Sequence, residues 1–377
     1  MLLRVVSFAC VAVCAVHAAP LRSLPRDDYA PIAAARECGP VPDFVTKYAP
    51  VLYLESQDNY YMTDPIDLFS HVTVLNDAGG KVAGPTPLSP SNLDQYPGGS
   101  TYLTSNDNPE TNPAWQHGLP PDAATQRSPS PATVVITPPQ GPESTVDVHY
   151  MFFYAFNRGP KVLGRHYGSH VGDWESVTIR FAKAGTPSQM WYSQHSGGEA
   201  VAFSAVEKTR DGKPIVYVAR GSHANYINNG VNGDHPYALP FGILKDITSN
   251  PAGGAKILDV AKNYRAYCYG PSSSNRDTNI FTPAPSTDVQ DVAWLNFRGR
   301  WGDKQYPKSD KRQYSFAGQW HYVDGPTGPV MKNLIRPDIC AKLTNAGCEV
   351  QSKNFVKEMP EYALPREYPD WGANASA

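Results

Sequence analysis

The chain is 377 residues long, room for two average domains or one large β-rich one. Its 36 prolines and 30 glycines interrupt it too often for long helices, so coiled coil, collagen and membrane bundle are excluded. Apolar residues make up 41% and aromatics 11%, enough for a sizeable core. Basic and acidic side chains number 33 and 35, which leaves no basic field to gather phosphate backbones, and no nucleic acid partner is expected.

In chain order, Arg4, an apolar run from Val5 to Val16 and the small residues around Ala18 and Ala19 have the three parts of a secretory signal. The run is shorter than the ~20 residues that span a bilayer. No later stretch reaches that length, so no transmembrane segment is expected in the mature chain, which would lie in the secretory pathway or outside the cell. After the signal (1–19) we read a flexible leader (20–40), a β-sandwich domain (41–325) and a C-terminal extension (326–377). Cys38, Cys268, Cys340 and Cys348 form an even set in an oxidising compartment, where disulfides are the expectation. Sequence permits three connectivities, of which Cys340 with Cys348 and Cys38 with Cys268 is preferred. Asn374-Ala375-Ser376 is a glycosylation sequon close to the C-terminus.

Val41 to Tyr48 reads as a short helix and Val51 to Leu54 as a first strand. Pro65 opens a second short helix through Val72. Residues 79–131 are turn-laden without periodicity and read as a long loop. Ala132 to Thr137 is a β-branched run, and Val146 to Phe156 alternates with period two while Met151 and Phe153 make its other face apolar as well. That pattern predicts a central strand. Further strands are predicted at 174–181, 190–193, 200–206 and 214–220, with edge strands at 261–269, 292–297 and 314–322 and a helix at 332–343. The fold class is mainly β, an antiparallel sandwich with long loops and a few short helices.

The densest polar cluster is Gly168 to Glu175. Strand alternation puts Asp173 and Glu175 on one face, roughly 7 Å apart at Cα, together with Val177, Ile179 and Phe181. Two carboxylates beside a core need a cation, a proton or basic neighbours. His170, the turn carrying His195 and the turn Arg220-Gly221-Ser222-His223 can converge on them. Carboxylates with imidazole suit a divalent cation, Ca²⁺ or Mg²⁺ first, Mn²⁺ or Zn²⁺ after. The competing account is structural, with Asp173 and Glu175 held by glycine-turn amides and by Arg180 or Arg220. His71, His166 and His235 read as surface or loop residues and His149 as a satisfied core histidine. No nucleophile elbow, His-Glu-x-x-His helix or phosphate loop occurs, and the adjacent Ser222 and His223 point apart. A metal-bound water at Asp173, Glu175 and His223 would support hydrolysis of a polysaccharide or phosphoester. Phe297 to Asp303, rich in arginine, tryptophan and glycine, reads as a brace or as a recognition loop for a glycan or lipid head group.

Lys47-Tyr-Ala-Pro50, His170-x-Gly-Asp-Trp-Glu175, Tyr217-Val-Ala-Arg-Gly-Ser-His-Ala224 and Gly299-Arg-Trp-Gly302 together resemble the vacuolar protein sorting-associated protein 62 family, from about Phe44 to Pro307. The resemblance implies a role in protein delivery to the vacuole. The same stretch is distantly similar to necrosis-inducing, Nep-like secreted toxins. Their heptad Gly-His-Arg-His-Asp-Trp-Glu belongs to a divalent-cation site used on membrane sphingolipids. His170, Asp173, Trp174, Glu175, His195 and His223 match that pattern, while Val171 and Gly172 stand where the heptad has arginine and its second histidine. The expectation is a cation-dependent binding or trafficking protein; a metal-assisted hydrolase and a membrane-damaging effector are the alternatives.

Overall fold

The computed structural model describes residues 38–182, 185–232, 245–272, 278–341 and 347–353. The expected signal peptide, most of the leader, His235 and the Asn374 sequon lie outside the described residues. Frequent proline and glycine keep the elements short, except where both faces of a strand can be buried. After helix α1 (Asp43–Lys47) come β1 (Val51–Leu54), β2 (Val72–Asn76), β3 (Thr101–Ser105), β4 (Ala132–Ile136), β5 (Val146–Asn157), β6 (Lys161–Val162), β7 (Arg165–His166) and β8 (His170–Ala182). There follow β9 (Thr186–Gln194), β10 (Gly197–Ala202), β11 (Ile215–Val218), β12 (Asn225–Tyr226), β13 (Gly230–Asn232), β14 (Asp246–Thr248), β15 (Lys256–Asp259), β16 (Tyr264–Pro271) and β17 (Asn279–Pro283). Helix α2 (Ala293–Asn296), β18 (Ser315–Phe316), β19 (Gln319–Trp320) and β20 (Val350–Gln351) complete the described elements.

The main sheet has the order β17-β16-β4-β5-β8-β9-β10-β20, and a second sheet has the order β12-β11-β1-β15. Within them β1–β11, β4–β16 and β10–β20 are parallel and the other pairings antiparallel. β5 is long because it is apolar on both faces. Tyr150, Phe152 and Tyr154 pack with Leu52, Val216 and Val45 of the second sheet and α1. Met151 and Phe153 pack on the opposite side with Leu93, Leu103, Trp294, Phe297 and Trp301, contributed by β3, loops and α2. The main sheet is thus the middle layer of three, and burial of both faces is what gives its central strands continuous apolar runs. Disulfides join Cys38 to Cys268 and Cys340 to Cys348, the preferred pairing.

Several expectations are corrected. The long loop contains β3, which pairs with β2 from Val72↔Ser105 to Asn76↔Thr101. The segment 292–297 forms α2 rather than a strand, because Trp294, Leu295 and Phe297 are all fully buried on one side, which alternation would forbid. The 261–269 strand is internal, lying between β4 and β17. The 314–322 strand is a hairpin, and the 200–206 strand gives way to a 3₁₀ turn after Ala202. The turn after Pro65 is 3₁₀ over Asp67–His71. No helix occupies the described part of 332–343. The Leu334 carbonyl accepts from His149, and the Arg336 and Pro337 carbonyls accept from Arg180, so carbonyls that a helix would use internally anchor this segment to the sheet. β20 likewise joins the sheet edge, so residues beyond 325 contribute to the fold.

Candidate functional site

The β5–β8 ladder sets Asp173 opposite Tyr154 and Glu175 opposite Phe152. Both acids therefore lie on the face shared with Val177, Ile179 and Phe181, as strand alternation required. β9 pairs with β8 only from Val177 to Ala182, which leaves the β8 edge beside Trp174 to other groups. The Lys332 ammonium donates to the Trp174 carbonyl at 3.2 Å. The Asn225 amide of β12 donates to Glu175 Oε2 at 3.3 Å and to the Ser176 and Ser193 carbonyls at 3.4 Å.

His223 follows the turn after β11 in a left-handed conformation, φ 54°. Its Nδ1 lies 2.9 Å from Asp173 Oδ2 and its Nε2 lies 3.7 Å from Asp58 Oδ2. The ring stacks on Tyr154 at 3.8 Å with 3° between planes. Asp58 was not singled out in the sequence. It accepts the Gly221 amide at 2.8 Å and so holds the turn that presents His223. The available signal was its place in the polar Glu55-Ser56-Gln57-Asp58-Asn59 step that follows β1.

His195, also left-handed at φ 51°, belongs to a second centre. Its Nε2 lies 2.6 Å from Asp246 Oδ2, and Asp246 also accepts from the Ser222 and Tyr226 hydroxyls at 2.7 Å each. Burial pushes the Asp246 carboxyl up, but the His195 charge and these donors outweigh it and hold it below the usual range. Ser222 and His223 point apart and link the two centres. His170 turns back on its own strand, its Nδ1 2.6 Å from the Gly172 carbonyl, and burial lowers its affinity for a proton. The structure therefore brings Asp173 and His223 into contact, sets Glu175 beside them, places His195 against Asp246 and leaves His170 turned onto Gly172 within electrostatic reach of Asp173 and His223.

The arginine brace is also corrected. Arg180 pairs with Asp147 at 2.7 Å, and Arg220 lies 3.9 Å from Glu55. The acidic pair instead meets the His223 ring at Asp173 and the Lys332 ammonium. Burial and the Asp173 charge push the Glu175 carboxyl well above the ordinary range, with Lys332 opposing. Burial lowers the Lys332 ammonium, with Glu175 and Asp173 opposing. Around these groups Tyr154 Oη, His223 Nε2 and Asn225 Oδ1 are buried without a hydrogen-bond partner.

The donor chemistry of Asp58, Asp173, Glu175 and His223 suits a hard cation, but the arrangement does not. Among the described residues no group of three or more His, Cys, Asp or Glu side chains is placed to hold a metal ion. His223 is turned onto Asp173, and a lysine stands at the β8 edge.

Gly172 explains the departure from the heptad. It has φ 64°, and a Cβ there would lie 1.8 Å from the Trp301 carbonyl oxygen, so no histidine fits. Trp301 itself is fully buried against Phe153 and Trp174, so this residue of the Phe297–Asp303 cluster is packed in the core. His149 is satisfied in the core by Thr178 Oγ1 at 2.8 Å and the Leu334 carbonyl at 2.9 Å.

The family model described as vacuolar protein sorting-associated protein 62 matches residues 30–315. Vacuolar protein sorting-associated protein 62 of Saccharomyces cerevisiae is 32% identical over 337 residues, covering 81% of this chain and 69% of that protein. The putative vacuolar protein sorting-associated protein TDA6 of the same yeast is 29% identical over 350 residues, covering 82% and 72%. Among solved structures, necrosis and ethylene inducing protein 2 from the causal agent of cocoa's witches' broom disease matches with 14% identity and a TM-score of 0.26, over 52% of this chain and 71% of that one. NLPPya in complex with glucosamine matches with 15% identity and a TM-score of 0.27, over 51% and 71%. With four ordered motifs, a family match over most of its length and a yeast relative at 32% identity, this chain belongs to the vacuolar protein sorting-associated protein 62 family.

Proposed function

We propose that this chain is a non-catalytic binding protein of the secretory pathway that serves vacuolar protein delivery and takes its ligand at Asp58, Asp173, Glu175 and His223. The supporting observation is a cluster of buried carboxylates set among polar atoms that lack a hydrogen bond. Asp58, Asp173 and Glu175 gather around His223 with Lys332 and His170 in electrostatic reach, while Tyr154 Oη, His223 Nε2 and Asn225 Oδ1 have no hydrogen-bond partner. Buried polar atoms left in that condition are costly, and a ligand bearing hydroxyl or amine groups, such as a glycan, relieves them. The two disulfides and the names of the yeast relatives favour a vacuolar or secreted location. Thermal melting of the purified chain with a panel of sugars and amino sugars tests the reading. Stabilisation that disappears in Asp173→Asn supports it, and no shift across the panel overturns it.

A second reading retains a divalent cation, Ca²⁺ or Mg²⁺, on Asp173, Glu175 and His223. The same carboxylate cluster favours it, and it requires His223 Nδ1 to leave Asp173. Linkage then demands about 2.7 kcal/mol of stabilisation at a hundredfold excess over the dissociation constant. Melting indifferent to both Ca²⁺ and chelator overturns it. Product release abolished by Asp173→Asn would instead favour the hydrolase. Dye leakage from glycolipid vesicles would favour the membrane-damaging effector, and none is expected with glycine at 172.

A further inference from the structure

Two small hairpins stand side by side at the start of β8. β6 and β7 pair as Lys161↔His166 and Val162↔Arg165, and β18 and β19 as Ser315↔Trp320 and Phe316↔Gln319. They share one base. The Gly168 amide donates to the Trp320 carbonyl at 2.8 Å and the Ser169 amide to the His321 carbonyl at 2.7 Å, while the Tyr314 hydroxyl donates to the His166 carbonyl at 2.9 Å. The Tyr167 and Tyr314 rings lie 5.6 Å apart. Ser169 and Tyr322 form a parallel bridge and the Arg165 guanidinium lies 4.8 Å from the centre of the Tyr314 ring, so the two hairpins enter that base from the same side.

Each tip turns through two consecutive positive-φ residues. These are Leu163 (50°) with Gly164 (80°), and Ala317 (48°) with Gly318 (83°). Such turns favour Asn, Asp or Gly at the first position, yet this sequence places a leucine there and leaves it 79% exposed. Phe316, beside the other tip, is 46% exposed. Large apolar side chains exposed to this degree are few among the described residues, and two of them sit on these two hairpins. Basic side chains predominate in both hairpins, with Glu110 3.6 Å from His321 as an acid at their base. Residues 158–166 carry Arg158, Lys161 and Arg165 with no acid, and residues 308–320 carry Lys308, Lys311 and Arg312 against Asp310 alone. That basic excess sits on a chain whose formal net charge is −2.

We propose that this pair of hairpin tips is a docking surface for an anionic phospholipid bilayer. Leu163 and Phe316 enter the headgroup boundary, and Lys161 with its basic neighbours meets the lipid phosphates. Apolar tips within a basic field are what peripheral attachment to such a surface requires. The polar cluster at His223 takes no part, so the proposal stands whatever ligand that cluster holds.

The experiment is sedimentation of the purified chain with vesicles of phosphatidylserine and phosphatidylcholine, and with phosphatidylcholine alone, over a range of salt. The wild type is expected to sediment with the mixed vesicles, less so as salt rises, and only weakly with phosphatidylcholine. Leu163→Asn is the decisive variant, because asparagine suits the turn better than leucine does. Its melting temperature should hold or rise while vesicle binding falls at least about tenfold. Phe316→Thr should act in the same direction. Failure of the wild type to sediment, undiminished binding by Leu163→Asn, or equal binding to phosphatidylcholine alone would each overturn the proposal.

Discussion

Asp303 offers a quantitative test of how the layer beneath the main sheet is held together. It is 7% exposed and accepts from the Ser105 amide at 3.4 Å and the Tyr306 hydroxyl at 3.2 Å. Burial outweighs these bonds and the pull of Arg312, raising its carboxyl from 3.8 to about 6. An acid whose folded value lies above its unfolded value binds more protons when folded, so its contribution to stability falls as pH rises. The loss develops between about pH 4 and pH 6 and is complete above that window, reaching roughly 3 kcal/mol for a shift of about two units. Asp303→Asn keeps an acceptor oxygen and cannot ionise. Its stability relative to the wild type should therefore improve by about 2–3 kcal/mol between pH 4 and pH 7, apart from a constant offset for altered hydrogen bonds. Urea unfolding of both proteins across that range measures the difference directly, and titrations elsewhere cancel in it. A difference that stays flat with pH would refute the assignment.

His149 titrates with the opposite sign, because burial lowers its value to about 3. Protonation must then oppose folding from about pH 6.5 downward, by up to about 5 kcal/mol, and His149→Gln should remove that acid sensitivity in urea titrations. Gly172→Ala should destabilise by more than about 3 kcal/mol, since Trp301 backbone rather than a flexible side chain blocks the new Cβ; a soluble variant with wild-type melting would contradict this. Lys332→Met should be strongly destabilising alone and less so combined with Glu175→Gln. The double-mutant cycle should return a coupling of about 1–3 kcal/mol, whereas additivity would show that the two groups do not sense each other. Cys38→Ser with Cys268→Ser opens a link with a sequence separation of 230. Calorimetry should record a loss of about 3–5 kcal/mol, and an unchanged melting temperature would contradict the entropic account.

Elements with a strong local pattern were legible beforehand. β5 announced itself through the alternation from Val146 to Phe156, apolar on both faces in its middle. The shared face of Asp173 and Glu175 followed from the same period-two rule, and the cysteine pairing agreed with the compartment implied by the N-terminal segment. Elements decided by distant partners were not legible. α2 looked like a strand because its apolar residues are consecutive, and only the surrounding tryptophan cluster buries them all on one side. The 332–343 segment looked helical because nothing local shows that its carbonyls are needed by His149 and Arg180.

The candidate site divides in the same way. Local order along the chain determined which residues carry charge, which face of β8 the two acids occupy, and which glycine and histidine turns lie at strand ends. Tertiary structure alone decided that His223 meets Asp173, that His195 is drawn to Asp246, and that Asp58 and Lys332 supply the remaining charges. Periodicity records how a segment meets its own neighbours, whereas charge pairing across a sandwich depends on which turns the topology brings to one rim, and that information is spread over more than 270 residues between Asp58 and Lys332.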